Sequence, residues 1–414
     1  MGPNTLFDKC FLQSLTVDES VWFDRFFSTV VCPIFYVETL ADLKKSVRKG
    51  RTPEQEVGII ADKFPNMHGT PSIFHLTLAM NNLLGSHFPL RGQIPVSGGR
   101  PVKAGGKSGI VCSEFPENEA FSRWSERQFY EVEHQYASFW RANLTNLNLE
   151  AMAKGFKELG INGKACKTLE EAKKLAHTIV NDSDKPHMRM KLACDILHIY
   201  DDQARRKILE HWSVFNYPPL STYAPYAAYV VTIEIFFRIA MAASLISPER
   251  ASNYIDIAYL YYLPFCNIFV SSDKLHRKCA PLFMRPDQEF IWGIDLKTGL
   301  NHLDTYYKSS IPSEIMEKSI MEFAKNPPKD GQFFVSEIWD KHYIGWRNKK
   351  TNINLSESRN MERVSEARMM MEASQLSSEE IDFDLADPDT FTVRRAVQKR
   401  KGSWYQLPKN LEGD

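Results

Sequence analysis

The chain has 414 residues, of which 43% are hydrophobic and 25% are charged, as in an ordinary soluble globular protein. Lys and Arg together number 51, and so do Asp and Glu, which excludes a basic nucleic-acid-binding coat over the whole protein. The seven cysteines form no CxxC pair, which argues against a zinc knuckle and fits reduced thiols in a cytoplasmic protein.

The first 45 residues predict an alternation of strands and helices. LFDKCFLQSL indicates a short strand that runs into a loop, and DESVWFDRFFSTV indicates a helix capped by Asp18. PIFYVETLADLKK begins with aromatic and β-branched residues, which predicts a strand that turns helical near Glu38. This order is typical of an α/β fold with a mostly parallel central sheet.

Residues 46–221 are expected to form a loop-rich and helical insertion. Up to residue 115 the segment is rich in Pro and Gly and predicts irregular surface chain, and residues 116–215 carry helical periodicity. The apolar stretch that follows, up to Ile246, is long enough to cross a membrane. Glu234 and Arg238 lie one helical turn apart in its middle, so we predict a buried core helix in which they pair, and no membrane span.

The sequence divides into four parts. Residues 1–45 and 222–300 are expected to form a discontinuous core, and 46–221 the insertion. A C-terminal helical extension would cover 301–350, and a charged, partly disordered tail 351–414. In that tail Met369, Met370 and Met371 are adjacent. One helix face cannot hold all three, so at least one should be exposed or covered by a partner.

Four carboxylates fall where a metal site in an α/β fold would need them. Asp8 ends the first strand, Glu38 follows the second, and Asp256 lies on a helix. Asp273 closes the short buried strand of CNIFVSSD. Open α/β sheets place ligands at the carboxyl ends of parallel strands, and Mg²⁺ and Mn²⁺ prefer oxygen ligands. The four acids therefore predict a Mg²⁺ or Mn²⁺ site.

The segments FDKCFL, FYVETLADL, IDIAYLYYLPF and IFVSSDKLH occur in the order seen in PIN-domain ribonucleases, which this chain resembles. The resemblance implies a PIN-like three-layer core with a mostly parallel sheet. It implies that Asp8, Glu38, Asp256 and Asp273 are the catalytic metal ligands. It also implies that Ser271 steadies the last loop. The match covers about 45 N-terminal residues and roughly 60 around 225–285. Residues 46–220 have no counterpart in a minimal domain of this kind.

Each acid also has a plain structural interpretation. Asp8 could cap a loop, and Asp273 could cap the next helix. Glu38 could complement a helix dipole, and Asp256 could be a solvated helix residue. Glu234 is a further acid, which we assign to the core as the partner of Arg238.

Several neighbouring signals are weaker. Lys274 and His276 follow Asp273 closely and could support the site, although a surface helix position is the favoured interpretation of His276. PVKAGGKS nearly spells a phosphate-binding loop, but Pro101 stands where the first Gly is needed, so a flexible basic loop is favoured. The basic runs 44–51 and 394–401 are expected to be solvated or to contact nucleic acid. Aromatic residues that could stack on bases, but for which core packing is favoured, are Trp124, Trp140, Tyr223 and Tyr226.

The predicted activity is that of a metal-dependent endoribonuclease, with metal-activated water attacking a phosphodiester. RNA is favoured over DNA as the substrate. A non-catalytic interaction protein that keeps a PIN-like core as a scaffold is the competing hypothesis. The resemblance further suggests a toxin–antitoxin or defence role in the cytoplasm. A homo-oligomer or a regulatory protein partner would contact the Met-rich tail.

Overall fold

The computed structural model describes residues 2–45, 50–152, 166–182, 184–348, 357–384 and 390–410. The centre of the first predicted basic run, residues 46–49, lies outside these ranges. The described strands are β1 Asn4–Phe7, β2 Ser28–Val31, β3 Gly69–Pro71, β4 Arg100–Ala104, β5 Lys107–Cys112, β6 Ile268–Ser271, β7 Glu289–Trp292, β8 Thr390–Val393, β9 Arg400–Lys401 and β10 Trp404–Tyr405.

Helices occupy most of the remaining described chain. Those of the first half are α1 Lys9–Ser14, α2 Val17–Phe26, α3 Pro33–Leu40, α4 Pro53–Ala61, α5 His75–Leu83, α6 Pro116–Ser125, α7 Glu131–Thr145 and α8 Leu169–Asn181. The later ones are α9 Pro186–Ile196, α10 Asp202–Val214, α11 Leu220–Tyr223, α12 Pro225–Ala242, α13 Ser252–Ala258, α14 Lys274–Phe283, α15 Gly293–Ser310, α16 Ser313–Met316, α17 Ile320–Phe323, α18 Phe334–His342 and α19 Glu357–Glu372.

The core of the protein is a five-stranded, all-parallel sheet in the order β3-β2-β1-β6-β7. In register, Leu6 pairs with Val30 on one side and with Phe269 on the other. All four residues of β6 are buried, as are the last three of β1, so both faces of the sheet are covered. The predicted α/β class with a parallel central sheet is confirmed.

The strand order reverses beside β1. The chain runs outwards from β1 through β2 to β3, and later returns to place β6 on the other side of β1, followed by β7. The carboxyl ends of β1 and β6 therefore flank a topological switch point. Such points are where open α/β sheets form their ligand-binding crevices.

The local assignments near the N-terminus need correction. The second strand is STVV, which begins five residues earlier along the chain than predicted, and PIFYVETL forms helix α3 with Pro33 in its first turn. A Pro in the first helical turn lacks only an N–H that the helix would leave unpaired. The predicted loop after β1 is helix α1, and Thr16, not Asp18, caps α2 through a capping box with Glu19.

The segment expected to be irregular, residues 46–115, is largely ordered. It contributes helices α4 and α5, and its strand β3 extends the central sheet beside β2. PVKAGGKS belongs to the β4–β5 hairpin, where Gly105 and Gly106 have positive φ values of 57° and 75° at the turn. A two-residue turn of this kind needs left-handed residues, which explains the glycines without any phosphate.

The apolar helix α12 is packed inside the protein. Arg238 lies 3.2 Å from Oε2 of Glu234, and Tyr261 donates a hydrogen bond to Oε1 of the same carboxylate. The predicted core pair is therefore confirmed. Among the described residues α12 is the one helix long and apolar enough to cross a membrane, and 78% of its apolar window is buried within the protein.

The C-terminal tail is built into the fold over much of its described length. Strand β8 pairs with β5, and Met370 of α19 packs against Val102 and Val111 of the hairpin. Trp404 is fully buried against Trp22, with ring centroids 4.6 Å apart. The expectation of a partly disordered end is wrong for residues 390–410, because the sequence signal of mixed charge does not reveal this long-range aromatic contact.

Candidate functional site

Two of the predicted acids stand directly at the switch point. Asp8 follows β1 and caps α1, where its Oδ1 accepts a hydrogen bond from the Phe11 N–H at 2.8 Å. Asp273 lies two residues after the end of β6 and caps α14, where its Oδ1 accepts a hydrogen bond from the Leu275 N–H at 2.6 Å. The capping role considered from the sequence is thus present at both residues. Each cap uses one oxygen, so capping does not exhaust either carboxylate.

Ser271 ties these two acids together. Its buried hydroxyl donates to Oδ2 of Asp8 at 2.6 Å and accepts the backbone N–H of Asp273 at 2.9 Å. The same oxygen lies 2.7 Å from Nδ1 of His276. Ser271 therefore fixes the loop after β6 and one oxygen of Asp8 with a single group.

His276 is buried, and its expected surface position is wrong. Its Nε2 lies 2.6 Å from the backbone carbonyl oxygen of Asp256, which can only accept, so Nε2 is the donor. Its Nδ1 lies 3.4 Å from Oδ2 of Asp8. Burial opposes a charge here, but the hydrogen bond and charge of Asp8, with the charge of Asp256, outweigh it and raise the pKa of His276 to about 9. The surface prediction failed because spacing on α14 does not show which side meets the sheet.

Glu38 lies in the last turn of α3 and not at the end of a strand. Its Oε2 accepts from the hydroxyl of Tyr259 at 2.8 Å, and its Oε1 lies 3.2 Å from Nζ of Lys9. Lys9 also contacts Asp42 at 3.1 Å. One cation therefore already faces Glu38, and a metal ion bound there would compete with Lys9.

Asp256, on α13, has the least satisfied carboxylate of the four. Its Oδ2 is buried and has no hydrogen-bond partner among the described residues. Burial raises the pKa of Asp256 to about 7, the charges of Asp273 and Glu38 add to the rise, and His276 and Arg250 oppose it. A buried oxygen without a donor is costly, so this atom marks a place where a cation or a proton is favoured.

Three of the four acids lie near the thiol of Cys10. Cys10 is the exposed cysteine of the seven. Partial burial and the nearby carboxylates of Asp8, Glu38 and Asp256 raise the pKa of its thiol to about 12. The charges of Asp273 and Glu38 in turn act on Asp256.

The residue types at this crevice suit a divalent ion, but their placement does not yet form a ligand set. Carboxylate oxygens are the donors that Mg²⁺ and Mn²⁺ prefer, and the unpartnered Oδ2 of Asp256 is free to accept an ion. Within the described ranges no three His, Cys, Asp or Glu side chains stand close enough together to hold a metal as they are placed. Side-chain rotation of Glu38 or Asp273 would have to complete the ligand set.

Three residues next to the acids were missed by sequence reasoning. Lys9 directly follows Asp8, and Tyr259 lies three residues after Asp256, so both adjacencies were visible in the sequence. Trp292 pairs in register with Ser271 at the end of β7, a contact that only the sheet order reveals. Lys274, proposed as a supporting residue, is exposed on the first turn of α14.

Comparison of the chain with models of protein families, with curated protein sequences and with solved structures gives no match.

Proposed function

We propose that this protein is a Mg²⁺- or Mn²⁺-dependent nuclease with a PIN-like core. The observation that carries the proposal is the buried, unpartnered Oδ2 of Asp256, which lies among other carboxylates at the switch point of a parallel sheet. Repulsion among these acids is relieved when a cation binds between them. The proposed ligands are Asp8, Glu38, Asp256 and Asp273.

The surrounding residues prepare the acids for that role. Ser271 and His276 hold Oδ2 of Asp8, and these contacts fix the orientation of the Asp8 carboxylate and of its remaining lone pairs. Tyr259 orients Glu38 by its hydroxyl. Asp8, Glu38, Asp256 and Asp273 would hold the ion, which would activate a water molecule and offset the charge that develops on the phosphate. Burial raises the pKa of Asp256 to about 7 in the absence of a cation, and a bound ion would favour its ionised form.

RNA is the proposed substrate, and DNA is the close variant. Single-stranded RNA, transfer RNA and duplex DNA should each be incubated with the protein and Mn²⁺, with and without EDTA. Cleavage of RNA that EDTA abolishes supports the proposal. Cleavage of duplex DNA alone would change the substrate, and no cleavage of any substrate at any Mn²⁺ concentration would refute the activity.

The variants for this assay should keep the helix caps. Asp8 and Asp273 each cap a helix, so substitution by Ala would remove a cap together with a ligand. Asn caps helices well and carries no charge. Asp8→Asn and Asp273→Asn should therefore lose cleavage, with Asp295→Asn, an exposed acid of α15, as the matched control. Cleavage undiminished in both site variants would contradict the assignment of these ligands.

A non-catalytic scaffold is the second candidate, and the ion pair between Lys9 and Glu38 favours it. In that case Lys9 would serve in place of a metal ion. Mn²⁺ that binds only the folded protein must raise its melting temperature. A rise that Asp256→Asn removes supports a metal site, whereas no rise in the wild-type protein favours the scaffold. Such a scaffold would act through a protein partner or a second copy of the chain, whereas a cytoplasmic toxin–antitoxin or defence role is proposed only with the nuclease.

A further inference from the structure

Three cations lie side by side on the outer face of α14. Lys274, Arg277 and Lys278 are spaced three and four residues apart, and all three are exposed. The opposite side of this helix is buried through His276, Cys279, Ala280 and Phe283. The outer face of α14 is therefore a cationic row, defined by Lys274, Arg277 and Lys278.

The cationic row has no acidic partners. The ion pairs of the described residues include none for Lys274, Arg277 or Lys278, whereas Lys9, beside the crevice, is paired with Glu38 and Asp42. Exposed cations without partners keep their full charge for a ligand. A row of unpaired positive charge in a protein of net charge zero is a local feature.

The row begins at the acidic crevice. Asp273 caps α14 and Lys274 is the first residue of that helix, so the first cation directly follows a proposed metal ligand. An anionic chain bound along the row would therefore have one end at the acids. The row is continuous with the crevice and requires no separate site.

An aromatic ring flanks the row. The guanidinium carbon of Arg277 lies 5.1 Å from the ring centroid of Trp292. Trp292 ends β7, beside the end of β6, and it is only half-buried. Trp292 and Arg277 thus present a ring and a planar cation on the same side of the sheet edge. Planar groups of this kind stack on unpaired bases.

We propose that the cationic row binds the sugar–phosphate backbone of a single-stranded nucleic acid and directs it to the crevice, with Trp292 as the stacking surface for a base. The inference rests on the proposed nuclease function and names how its substrate is held. A single strand is specified because a base in a duplex is not available to stack on Trp292.

Binding should be measured by fluorescence anisotropy in EDTA, so that no cleavage occurs, with labelled oligo-U and oligo-dT as single strands and a labelled DNA duplex. The variant Lys274→Gln, Arg277→Gln, Lys278→Gln removes the row. The matched control is Lys191→Gln, Arg206→Gln, Lys207→Gln, which removes three exposed charges from α9 and α10. Melting temperatures of both variants establish that they are folded.

The row variant should bind single strands at least about tenfold more weakly than the wild type in low salt. The slope of log K against log salt should fall by about 2, since each single-strand phosphate contact contributes about 0.7. The control variant should retain both the affinity and the slope of the wild type. An unchanged slope in the row variant, or an equal loss in the control, would overturn the proposal.

Trp292 requires its own test. Trp292→Ala should weaken binding of the oligonucleotides by about tenfold and leave binding of inorganic polyphosphate unchanged, because polyphosphate has no bases. Trp292→Phe keeps a ring and should restore most of the affinity. Equal losses for oligonucleotide and polyphosphate would overturn the stacking role.

Failure of this inference is distinct from failure of the nuclease proposal. If the wild type cleaves RNA and the row variant binds and cleaves equally well, the row is refuted and the nuclease stands. If the wild type binds single strands through the row but never cleaves them, the nuclease is refuted and the row stands. A wild type that binds no single strand in EDTA and low salt overturns the row.

Discussion

His276 is buried against Asp8, with its Nδ1 3.4 Å from Oδ2 of the carboxylate, in the centre of the proposed site. The pKa of His276 is raised to about 9, above its ordinary value of 6.5. The charged imidazole therefore stabilises the fold fully below pH 6.5, and this contribution is lost as the pH rises through 9.

We accordingly expect His276→Gln to lower the melting temperature by several degrees at pH 6 and by less at pH 10. Thermal denaturation followed by circular dichroism across this range measures the difference. His302→Gln, at an exposed position on α15, is the control and should have little effect. A penalty for His276→Gln that does not vary with pH would contradict a buried ion pair.

The stability contributed by Asp256 also falls as the pH rises, over a lower pH range than that of His276, but removing its charge should have the opposite effect on the melting temperature. Its pKa is raised from 3.8 to about 7, so between these pH values the folded protein holds a proton that the unfolded chain has released. The stability contributed by this group therefore falls as the pH rises from 4 to 7. Asp256→Asn should have little effect at pH 5 and raise the melting temperature by a few degrees at pH 8. A melting temperature of the variant below that of the wild type at pH 8 would contradict a destabilising buried charge.

Cys10 offers a readout of metal binding that needs no substrate. The carboxylates around it raise the pKa of its thiol to about 12, and the other six cysteines are buried. Mn²⁺ bound among the acids would cancel their charge and lower that pKa. Each unit by which the pKa falls increases the fraction of reactive thiolate about tenfold. Alkylation by iodoacetamide should therefore accelerate when Mn²⁺ is added. Cys10→Ser identifies the labelled residue, and a rate indifferent to Mn²⁺ would count against an ion in the crevice.

Asp273 separates capping from metal binding. Asp273→Ala should cost about 1 kcal/mol of stability through the lost cap of α14, whereas Asp273→Asn should retain stability. Cleavage should be lost in both variants if Asp273 is a ligand. Thermal denaturation and the RNA cleavage assay, run on the same samples, give the two readouts. Activity in Asp273→Asn together with loss in Asp273→Ala would make Asp273 a cap alone.

The outer face of α19 is expected to mediate self-association. Met361, Val364 and Met371 share one side of this helix and are 71%, 62% and 39% exposed. Replacing all three with Ser should leave the protein monomeric in sedimentation experiments at concentrations where the wild type associates. A wild type that is monomeric at all concentrations contradicts this expectation. Substitution is preferable to deletion of residues 355–414, because deletion would also remove the buried Trp404.

The sequence predicted secondary-structure elements better than it predicted which segments pack against them. Buried apolar runs such as Ile268–Ser271 indicate strands because parallel sheets are covered on both faces. The run PIFYV has similar composition, but Pro33 and the end of β2 direct it into a helix, so local propensity alone placed Glu38 wrongly. Strand β3 was missed because three residues of sequence GTP carry no hydrophobic pattern, and their pairing with β2 is set by the fold.

The candidate site shows the same division. Its acids were visible because each follows a recognisable strand or lies on a helix. The ion pair of Lys9 with Glu38 and the burial of His276 depend on the approach of segments far apart in the chain. The Met-rich segment was partly predictable: Met370 is 3% exposed while Met369 and Met371 are 43% and 39% exposed, as adjacent residues on a helix require.

Trp22 and Trp404 both donate their indole N–H to Oδ1 of Asp304, at 3.0 and 2.8 Å. Trp404 therefore covers helix α2, which lies far from it in the sequence. During synthesis on the ribosome, β1 is made long before its partner strand β6. The interval between α2 and its contact residue Trp404 is longer still. A nascent chain therefore exposes the aromatic surface of Trp22 until residue 404 has been made. A product terminated before residue 404 would lack the contacts of Trp404 with Asp304 and Trp22, and we expect it to be less stable than the longer chain.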